Sequence, residues 1–351
     1  MRLLFVTADM GSGHHEVTAE LIWRCAATGA ACSSVDVIAD AGAAGARLRA
    51  TYRLLLRRAP GVYDAAMRAW ARWPGLLERF TARNAAPFER LLADAVAAAR
   101  PDVVVSTYNL ASQCLGRLRR RRAVDAPVVT VVPDPGAHPY WISPDVTAHL
   151  VPTALTAERF RALGAPGTRV VRPTLRMEFR SPPDRTAARA VLGLPGDRRV
   201  VLLTAGSWAV GGLPRTVELV RQLPDTLAVV LCGRDERLRT RLSDVAAVRP
   251  VGWTDEVVRY LSAADVVVDN AGGVTCWEAL ACGARVVAYR PLAGHGRLNV
   301  ATLAELGWVR WAHDGDGLRH ALTTDGERSA PAGLFDAPDA ADIVRTLAPR
   351  P

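Results

Sequence analysis

Short β-branched apolar runs recur at Leu3 to Thr7, Val35 to Ile38, Val103 to Ser106 and Val128 to Val132, with helical lengths between them. Runs spaced in this way predict strands alternating with helices, the pattern of a parallel sheet. A second series follows at Val200 to Thr204, Leu227 to Cys232, Val266 to Asp269 and Val286 to Tyr289. Two α/β units in tandem are therefore expected, and 351 residues suffice for both. Pro173, Pro182 and Pro183 interrupt the pattern between the two series, which places the expected boundary near Phe179 and the domains at 1–178 and 179–351. The closing stretch DAPDAADIVRTLAPRP reads as a short helix opened by an Asp and stopped by prolines.

In open parallel sheets the ligand lies beyond the carboxyl ends of the strands, so the loops after these runs come first. The first is Asp9-Met10-Gly11-Ser12-Gly13-His14-His15. Its glycines let backbone approach a ligand, and the helix start that follows favours negative charge. It is no dinucleotide fingerprint, because GxG is followed by His-His-Glu. A histidine here could take a proton from a hydroxyl; the alternative is a glycine turn with a capping histidine. The second loop, Pro133 to Trp141, offers an acid, a base and a stacking surface in Asp134, His138 and Trp141, although its prolines could equally serve the turn alone.

The third loop, Thr204 to Gly212, is a glycine-rich strand-to-helix turn whose N–H groups could receive a diphosphate. The fourth carries the strongest signal, Asp269-Asn270-Ala271-Gly272-Gly273-Val274-Thr275-Cys276-Trp277-Glu278. A helix opening at Thr275, as N-cap or phosphate ligand, sets Glu278 one turn in, where a carboxylate can accept from both hydroxyls of a ribose. Thr275-x-x-Glu278 also reads as a capping box. The last loop, Tyr289 to Asn299, could bring His295 and Asn299 to a sugar or could be an ordinary connection.

Charge narrows the chemistry. The net charge is +9 and the chain contains no lysine, so its fixed cations are guanidinium groups, which removes a Walker lysine and any Schiff base. Ten arginines stand against three acids between residues 41 and 90. Within 47–80, Leu48, Tyr52, Leu55 and Leu56 fall at helical spacing among arginines, a pattern that suits an anionic membrane surface or a solvated helix of the first unit. The cluster Arg117, Arg119, Arg120, Arg121 and Arg122 raises nucleic-acid binding as a different class, but it lacks interleaved aromatics and reads better as a helix end, so no nucleic-acid partner is expected. An NAD-type oxidoreductase ranks low, since neither half has GxGxxG with an acid about 20 residues on.

Six dispersed cysteines without a CxxC pair fit a reducing cytoplasm, and no metal site is expected. Asp314-Gly315-Asp316 has the form of a metal-binding DxD but lies in an expected turn. No apolar stretch approaches the roughly 20 residues that span a bilayer, and the amino terminus lacks a leader's long apolar core, so a soluble or peripheral protein is expected.

Taken together, the GxGH opening at Gly11, Gly13 and His14, the segment VVTVVPDPGAHPYW, and AGGVTCWEAL followed by a Pro-to-Asn loop resemble GT-B glycosyltransferases. The similar families are the monogalactosyldiacylglycerol synthases, the bacterial processive diacylglycerol glucosyltransferases and, more distantly, the peptidoglycan N-acetylglucosaminyltransferase. The resemblance implies an α/β GT-B fold, two Rossmann-like domains facing a central cleft, with the acceptor in the first, the donor in the second and a terminal helix crossing back. It implies His14 as the residue that activates the acceptor, with Gly13, His15, Asp134, His138 and Trp141 around it; which of His14 and His15 faces the acceptor stays open. Gly206 and Ser207, with Gly272, Gly273, Val274 and Thr275, would enclose the donor diphosphate, and Glu278 would hold the ribose. Val251 and Trp253 would lie along the base, and Trp208, Gly233, His295 and Asn299 complete the donor set.

The implied reaction is an inverting, metal-independent and cofactor-free transfer from a UDP-type nucleotide sugar to a lipid or natural-product hydroxyl. Its implied place is the cytoplasm, peripheral on the inner face of the plasma membrane. A UDP-sugar epimerase of the same architecture is the alternative. Where many relatives have lysine before Ala-Gly this chain has Asn270, and Gly294-His295-Gly296 replaces their Gly-Gln-Glu, so the donor sugar does not carry over.

Overall fold

The first sheet is built from β1 (Arg2–Thr7), β2 (Ala31–Asp36), β3 (Val103–Ser106), β4 (Val128–Val131), β5 (Ala148–Val151) and β6 (Arg169–Val170), in the order β2-β1-β3-β4-β5-β6. The second is built from β7 (Arg199–Thr204), β8 (Thr226–Gly233), β9 (Val248–Gly252), β10 (Val266–Asp269), β11 (Arg285–Tyr289) and β12 (Arg310–Ala312), in the order β12-β11-β10-β7-β8-β9. Every pairing is parallel. This computed structural model describes residues 1–204, 212–324 and 326–348.

Parallel sheets need helices on both faces, which is why the central strands are apolar without alternation. VVVS in β3, VVTV in β4 and VVVD in β10 are buried at every position. One core packs Val6, Val104 and Val128 against Phe88, Leu92 and Leu115; another packs Val201, Val230, Val268 and Val287 against Val217 and Leu318. Each such side chain contributes about 1.5–3 kcal/mol by leaving water, so these two cores dominate the stability of their units.

Among the described residues all eight expected strands are present, and four more join them. Three of the additions are short or polar: β6 has two residues, β9 contains Arg249 and Pro250, and β12 opens on Arg310; the fourth, β5, is a buried four-residue strand interrupted by His149. The second strand begins at Ala31 rather than Val35, because it is an edge strand, half of it exposed, that carries no continuous apolar run.

Between β2 and β3 lie four helices, Gly42–Arg58, Pro60–Arg72, Pro74–Asn84 and Ala86–Ala99. Pro60 and Pro74 each start a helix, where the missing N–H costs nothing and the fixed φ suits the first turn. The expected membrane face of the first of these helices turns inward. Leu56 is buried, Leu48 packs on the core, and the Tyr52 ring meets Tyr63 edge-on at 5.4 Å. That stripe is the core-facing side of an amphipathic helix. The large apolar side chains left exposed in this region are Leu54, Val62, Trp73, Leu76 and Phe80.

Four arginines of the 117–122 cluster are engaged internally. Arg117 is buried against Glu89 at 2.5 Å, Arg121 reaches the same carboxylate at 2.9 Å, and Arg120 reaches Asp145 at 2.7 Å. Arg119 donates to the backbone carbonyls of Asp145, Asp125 and Ala126.

The chain divides into two compact units, Met1–Thr174 together with the segment from Phe335 onward, and Leu175–Leu334. The division thus falls a few residues before the expected 178/179, and the terminal helix Ala340–Thr346 groups with the first unit. Asp339 caps that helix by accepting from the Ala341 N–H at 2.9 Å. The same carboxylate accepts from Arg24 at 2.5 Å and Arg172 at 2.6 Å, and Arg172 N–H donates to the Pro338 carbonyl at 3.1 Å.

Burial raises the Asp339 carboxyl, but the Ala341 N–H and the Arg24 and Arg172 guanidiniums outweigh it and hold it below the usual carboxylate range. A depressed folded pKa gives stability that is complete above the unfolded value, about 3.9, and lost as pH falls through the folded one. Asp339→Asn should therefore cost about 3 kcal/mol at pH 7, read as a lower Tm. The gap to the unsubstituted protein should close below about pH 4.

Candidate functional site

The order β2-β1-β3 means that the chain leaves β1 first to one side and then to the other, which opens a crevice at the carboxyl ends of β1 and β3. Gly11, at φ 123 and ψ 163, makes a turn into the helix Ser12–Ala26 that a side chain would resist. His14 is the third residue of that helix, and its Nδ1 lies 2.8 Å from the carbonyl oxygen of Thr107, just beyond β3. A carbonyl can only accept, so Nδ1 carries the proton and, in the neutral ring, Nε2 holds the lone pair. The Thr18 hydroxyl, one turn on, donates to the His14 carbonyl and pairs with the Thr107 hydroxyl, both at 2.8 Å. Tyr108 stands edge-on to the imidazole at 5.2 Å, and Trp141 is tilted to it at 6.4 Å.

His15 faces elsewhere. Its Nε2 lies 2.7 Å from Asp36, whose carboxylate also accepts the N–H groups of Asp9, Ile38 and Ala39. The hydrogen bond to Asp36 raises the His15 pKa. Burial works to raise Asp36, but His15 and the backbone donors of Ala39 and Ile38 prevail and lower it. Arg49 pairs with Asp9 at the head of the same loop. Of the two histidines, His14 is the one at the switch point, and Gly13 precedes it in the first turn.

The loop after β4 is more structural than its residue types suggested. His138 is buried, donates from Nε2 to the Met67 carbonyl at 3.0 Å and accepts the Tyr140 N–H on Nδ1 at 3.0 Å. Both ring nitrogens thus pin the turn Pro139–Trp141 to the helix Pro60–Arg72, and the expected base is a strut. Trp141 is 3% exposed and packs with Val132, Val151 and Phe160, so it backs the His14 ring and offers no open stacking face. Asp134 is half-buried and lies close enough to Tyr52 and Tyr63 to act on their hydroxyls, which are raised first of all by burial. Thr18, Thr107 and Tyr108 were not singled out from sequence; the signal available was that Thr107 and Tyr108 directly follow the apolar run Val103 to Ser106.

In the second unit the reversal falls between β7 and β10. Gly206, Ser207 and Trp208 lie outside the described residues. After β10, the Asp269 carboxylate accepts the N–H groups of Ala271 at 2.9 Å and Gly272 at 2.6 Å on one oxygen, and the Thr204 hydroxyl at 3.1 Å on the other. It therefore ties the end of β7 to the turn after β10. Burial raises this carboxyl in spite of the donors around it. Gly272 sits at φ 61, and a Cβ there would stand 2.8 Å from the Cβ of Asn299.

The helix Val274–Ala281 starts from Gly273, with no side-chain cap. Thr275 is consequently inside the first turn, neither N-cap nor half of a capping box, because Asp269 and Gly272 complete the turn before it is reached. Glu278 is buried farther along this helix. Asn299 is buried and donates to the Ala271 carbonyl at 3.3 Å, while Leu292 N–H donates to the Asn270 carbonyl at 2.7 Å. These bonds stitch the loop after β11 onto the loop after β10, so Asn299 shapes the site from beneath. His295 opens the helix His295–Glu305, half-buried, after Gly294 at φ 70.

Gly233 and Gly252 are register partners at the carboxyl ends of β8 and β9, beside Val251. Trp253 follows, 51% exposed, with the Arg234 guanidinium 4.4 Å from its ring centroid. Among the described residues no group of three or more His, Cys, Asp or Glu could hold a metal. Asp314 caps the helix Gly315–Thr323 and Asp316 pairs with Arg319, which accounts for the DxD-like triplet. Among the described residues no helix is long and apolar enough to cross a membrane.

Residues 15–172 match the family model for monogalactosyldiacylglycerol (MGDG) synthase. The processive diacylglycerol beta-glucosyltransferase of Bacillus licheniformis is 25% identical over 218 residues, which cover 59% of this chain and 56% of that protein. The chain thus spans about half the length of the curated relatives it matches. Among solved structures, the spinosyn rhamnosyltransferase SpnG complexed with thymidine diphosphate is similar at a TM-score of 0.68 and 19% identity, covering 99% of this chain and 100% of that one. The glycosyltransferase SnogD from Streptomyces nogalater is similar at 0.62 and 21%, covering 99% and 98%. The resemblance read from the loops to the MGDG synthase and diacylglycerol glucosyltransferase families is borne out, and the architecture is GT-B.

The turn at Gly272 gives a direct test. Gly272→Ala combines a left-handed backbone with a clash against Asn299, so it should cost about 3 kcal/mol and lower Tm. An unchanged Tm would show that the turn after β10 tolerates a side chain.

Proposed function

We propose that the chain is a glycosyltransferase that moves a sugar from a nucleoside-diphosphate donor, UDP-linked by preference, to a hydroxyl of a lipid or small-molecule acceptor. The first unit takes the acceptor and the second takes the donor. The observation that carries the reading is His14, whose protonated Nδ1 is fixed on the Thr107 carbonyl so that Nε2 is the basic nitrogen. An imidazole titrates near neutral pH, which suits a general base.

In the proposed step the acceptor oxygen bonds to the anomeric carbon as Nε2 takes its proton. The bond from that carbon to the diphosphate oxygen breaks, and its electron pair leaves with the diphosphate. Attack opposite the leaving group inverts the anomeric centre. No metal enters this reading; backbone N–H groups of Gly206, Ser207 and the helix start at Gly273 to Thr275 would receive the developing charge. Glu278 would hold the ribose, and the Trp253 ring would stack the base, worth about 1–3 kcal/mol. The placement of Gly233 and Val251 beside Trp253 supports that base subsite.

A peripheral position on the inner face of the plasma membrane is part of the proposal. Leu54, Val62, Trp73, Leu76 and Phe80 are exposed among arginines, the composition that holds a helix in an anionic interface. Replacing Trp73, Leu76 and Phe80 together with serine should lower sedimentation with vesicles containing anionic lipid by roughly tenfold or more, without lowering Tm. Equal sedimentation would remove the membrane from the reading and favour a soluble acceptor.

The chemistry is tested by product analysis with two variants. His14→Ala should lower kcat by about 10²–10⁴-fold while donor Kd stays unchanged. Glu278→Ala should weaken donor binding by roughly tenfold or more, the loss expected when a charged hydrogen-bonding partner is removed. The products should be free nucleoside diphosphate and a glycosylated acceptor. An isomerised sugar nucleotide would make the chain an epimerase, and full turnover by both variants would sink the proposed roles.

A further inference from the structure

Five non-glycine residues among those described have φ in the left-handed region: Arg100, Arg122, Asp225, Ala247 and Arg290. The first four stand in the turns that lead from a helix into β3, β4, β8 and β9, at the amino edges of the sheets. Arg290 differs. It follows β11 directly, at the carboxyl edge where ligands of such sheets bind, with φ 50. Side chains other than Asn and Asp rarely accept this backbone, so its occurrence at that edge asks for a reason.

The side chain supplies one. A Cβ placed on Gly212, at the start of the helix Leu213–Arg221, would stand 3.5 Å from the Arg290 Cζ and 3.7 Å from one of its terminal nitrogens. The sheet order is β11-β10-β7, so β10 lies between the strand that carries Arg290 and the strand that precedes Gly212 in sequence. The helix Leu213–Arg221 packs on β7 and β8, so a guanidinium that leaves β11 and meets the amino end of that helix reaches past β10 toward β7. It therefore stands beside the amino end of the helix that follows β7, on the ligand side of the sheet. The bond from Leu292 N–H to the Asn270 carbonyl, 2.7 Å, holds the Arg290 loop against the turn that carries Gly272 and Gly273.

We infer that Arg290 binds the diphosphate of the donor and balances the charge that grows on it as the anomeric C–O bond breaks. The inference rests on the reading of the second unit as the donor-binding one. The electron pair of the broken bond stays on the diphosphate oxygen, the proton of the acceptor hydroxyl goes to His14, and Arg290 exchanges no proton. In a chain without lysine a guanidinium is the fixed cation available, and its planar fork can give two parallel N–H bonds to phosphate oxygens.

The test is calorimetric binding of UDP and uridine, with dTDP and thymidine in parallel, to the whole chain and to Arg290→Asn. Asparagine accepts the backbone and removes the charge. The expected result is a loss of at least tenfold in nucleoside-diphosphate affinity with nucleoside affinity held within twofold, and a kcat reduced at least a hundredfold at saturating donor. Equal diphosphate affinity would overturn the inference, as would a parallel loss for the nucleoside, which would mark a backbone role. If Arg290→Asn melts early, Arg290→Gly, which takes the same φ without strain, is read by the same criteria. A wild-type chain that binds neither UDP nor dTDP sinks the donor-binding reading and this inference with it, whereas a variant that binds as well as the wild type sinks Arg290 alone.

Discussion

Parallel pairing is the constraint from which the candidate site follows. A strand that must lie beside its predecessor in the same direction can do so only through a crossover, and crossovers deliver every carboxyl end to one edge. In each sheet the chain then reverses its direction of travel, at β1/β3 and at β7/β10, and the loops part there. Polar side chains reach across both openings: His14 to the Thr107 carbonyl, with Thr18 on the Thr107 hydroxyl, in the first unit, and Asp269 to the Thr204 hydroxyl in the second. In the first case one bridging group is also the one proposed to act. In the second it stays beneath and shapes the turn that would meet the ligand.

Guanidinium groups take on tasks inside this fold that other chains divide between two kinds of cation. Arg189 is buried and donates to the carbonyls of Ala263, Pro195, Gly196 and Arg198 as well as to Asp265, so a single side chain gathers the strands and loops at the amino edge of the second sheet. Arg117 and Arg121 converge on Glu89, and Arg24 and Arg172 on Asp339. A planar group with five donors can satisfy several carbonyls at once, which an ammonium on a flexible stem does less well. The arginines of the helices between β2 and β3 face solvent more often, and there the charge surplus read from the sequence becomes a surface.

The strands and the ligand-side loops were legible because each rests on local signals, an apolar run followed by glycine. What was not legible depended on partners distant in sequence. The choice between His14 and His15 turns on Thr107, just beyond β3, and Asp36, at the end of β2. His138 looked like a base because nothing nearby in sequence reveals the Met67 carbonyl that uses its Nε2. The stripe Leu48, Tyr52, Leu55 and Leu56 has the same periodicity whether it meets lipid or a protein core, and only packing against the first unit decides. Thr275 was read as a cap from the local spacing Thr275-x-x-Glu278, whereas the helix starts two residues earlier, from Gly273, after a turn held by Asp269.

The return of the chain to the first unit makes that unit discontinuous in sequence. In topological terms Leu175–Leu334 is an insertion, and Asp339 is the counter-charge that the first unit receives only after the insertion has been completed. During synthesis, Arg24 and Arg172 must wait for more than a hundred residues before their carboxylate emerges. The same topology sets a rule for recombination among relatives. A chimera that exchanges the second unit through a single crossover would import a foreign terminal segment and mismatch this ion cluster. Two splice points, one on each side of the insertion, would keep the first unit's charges with their own partner.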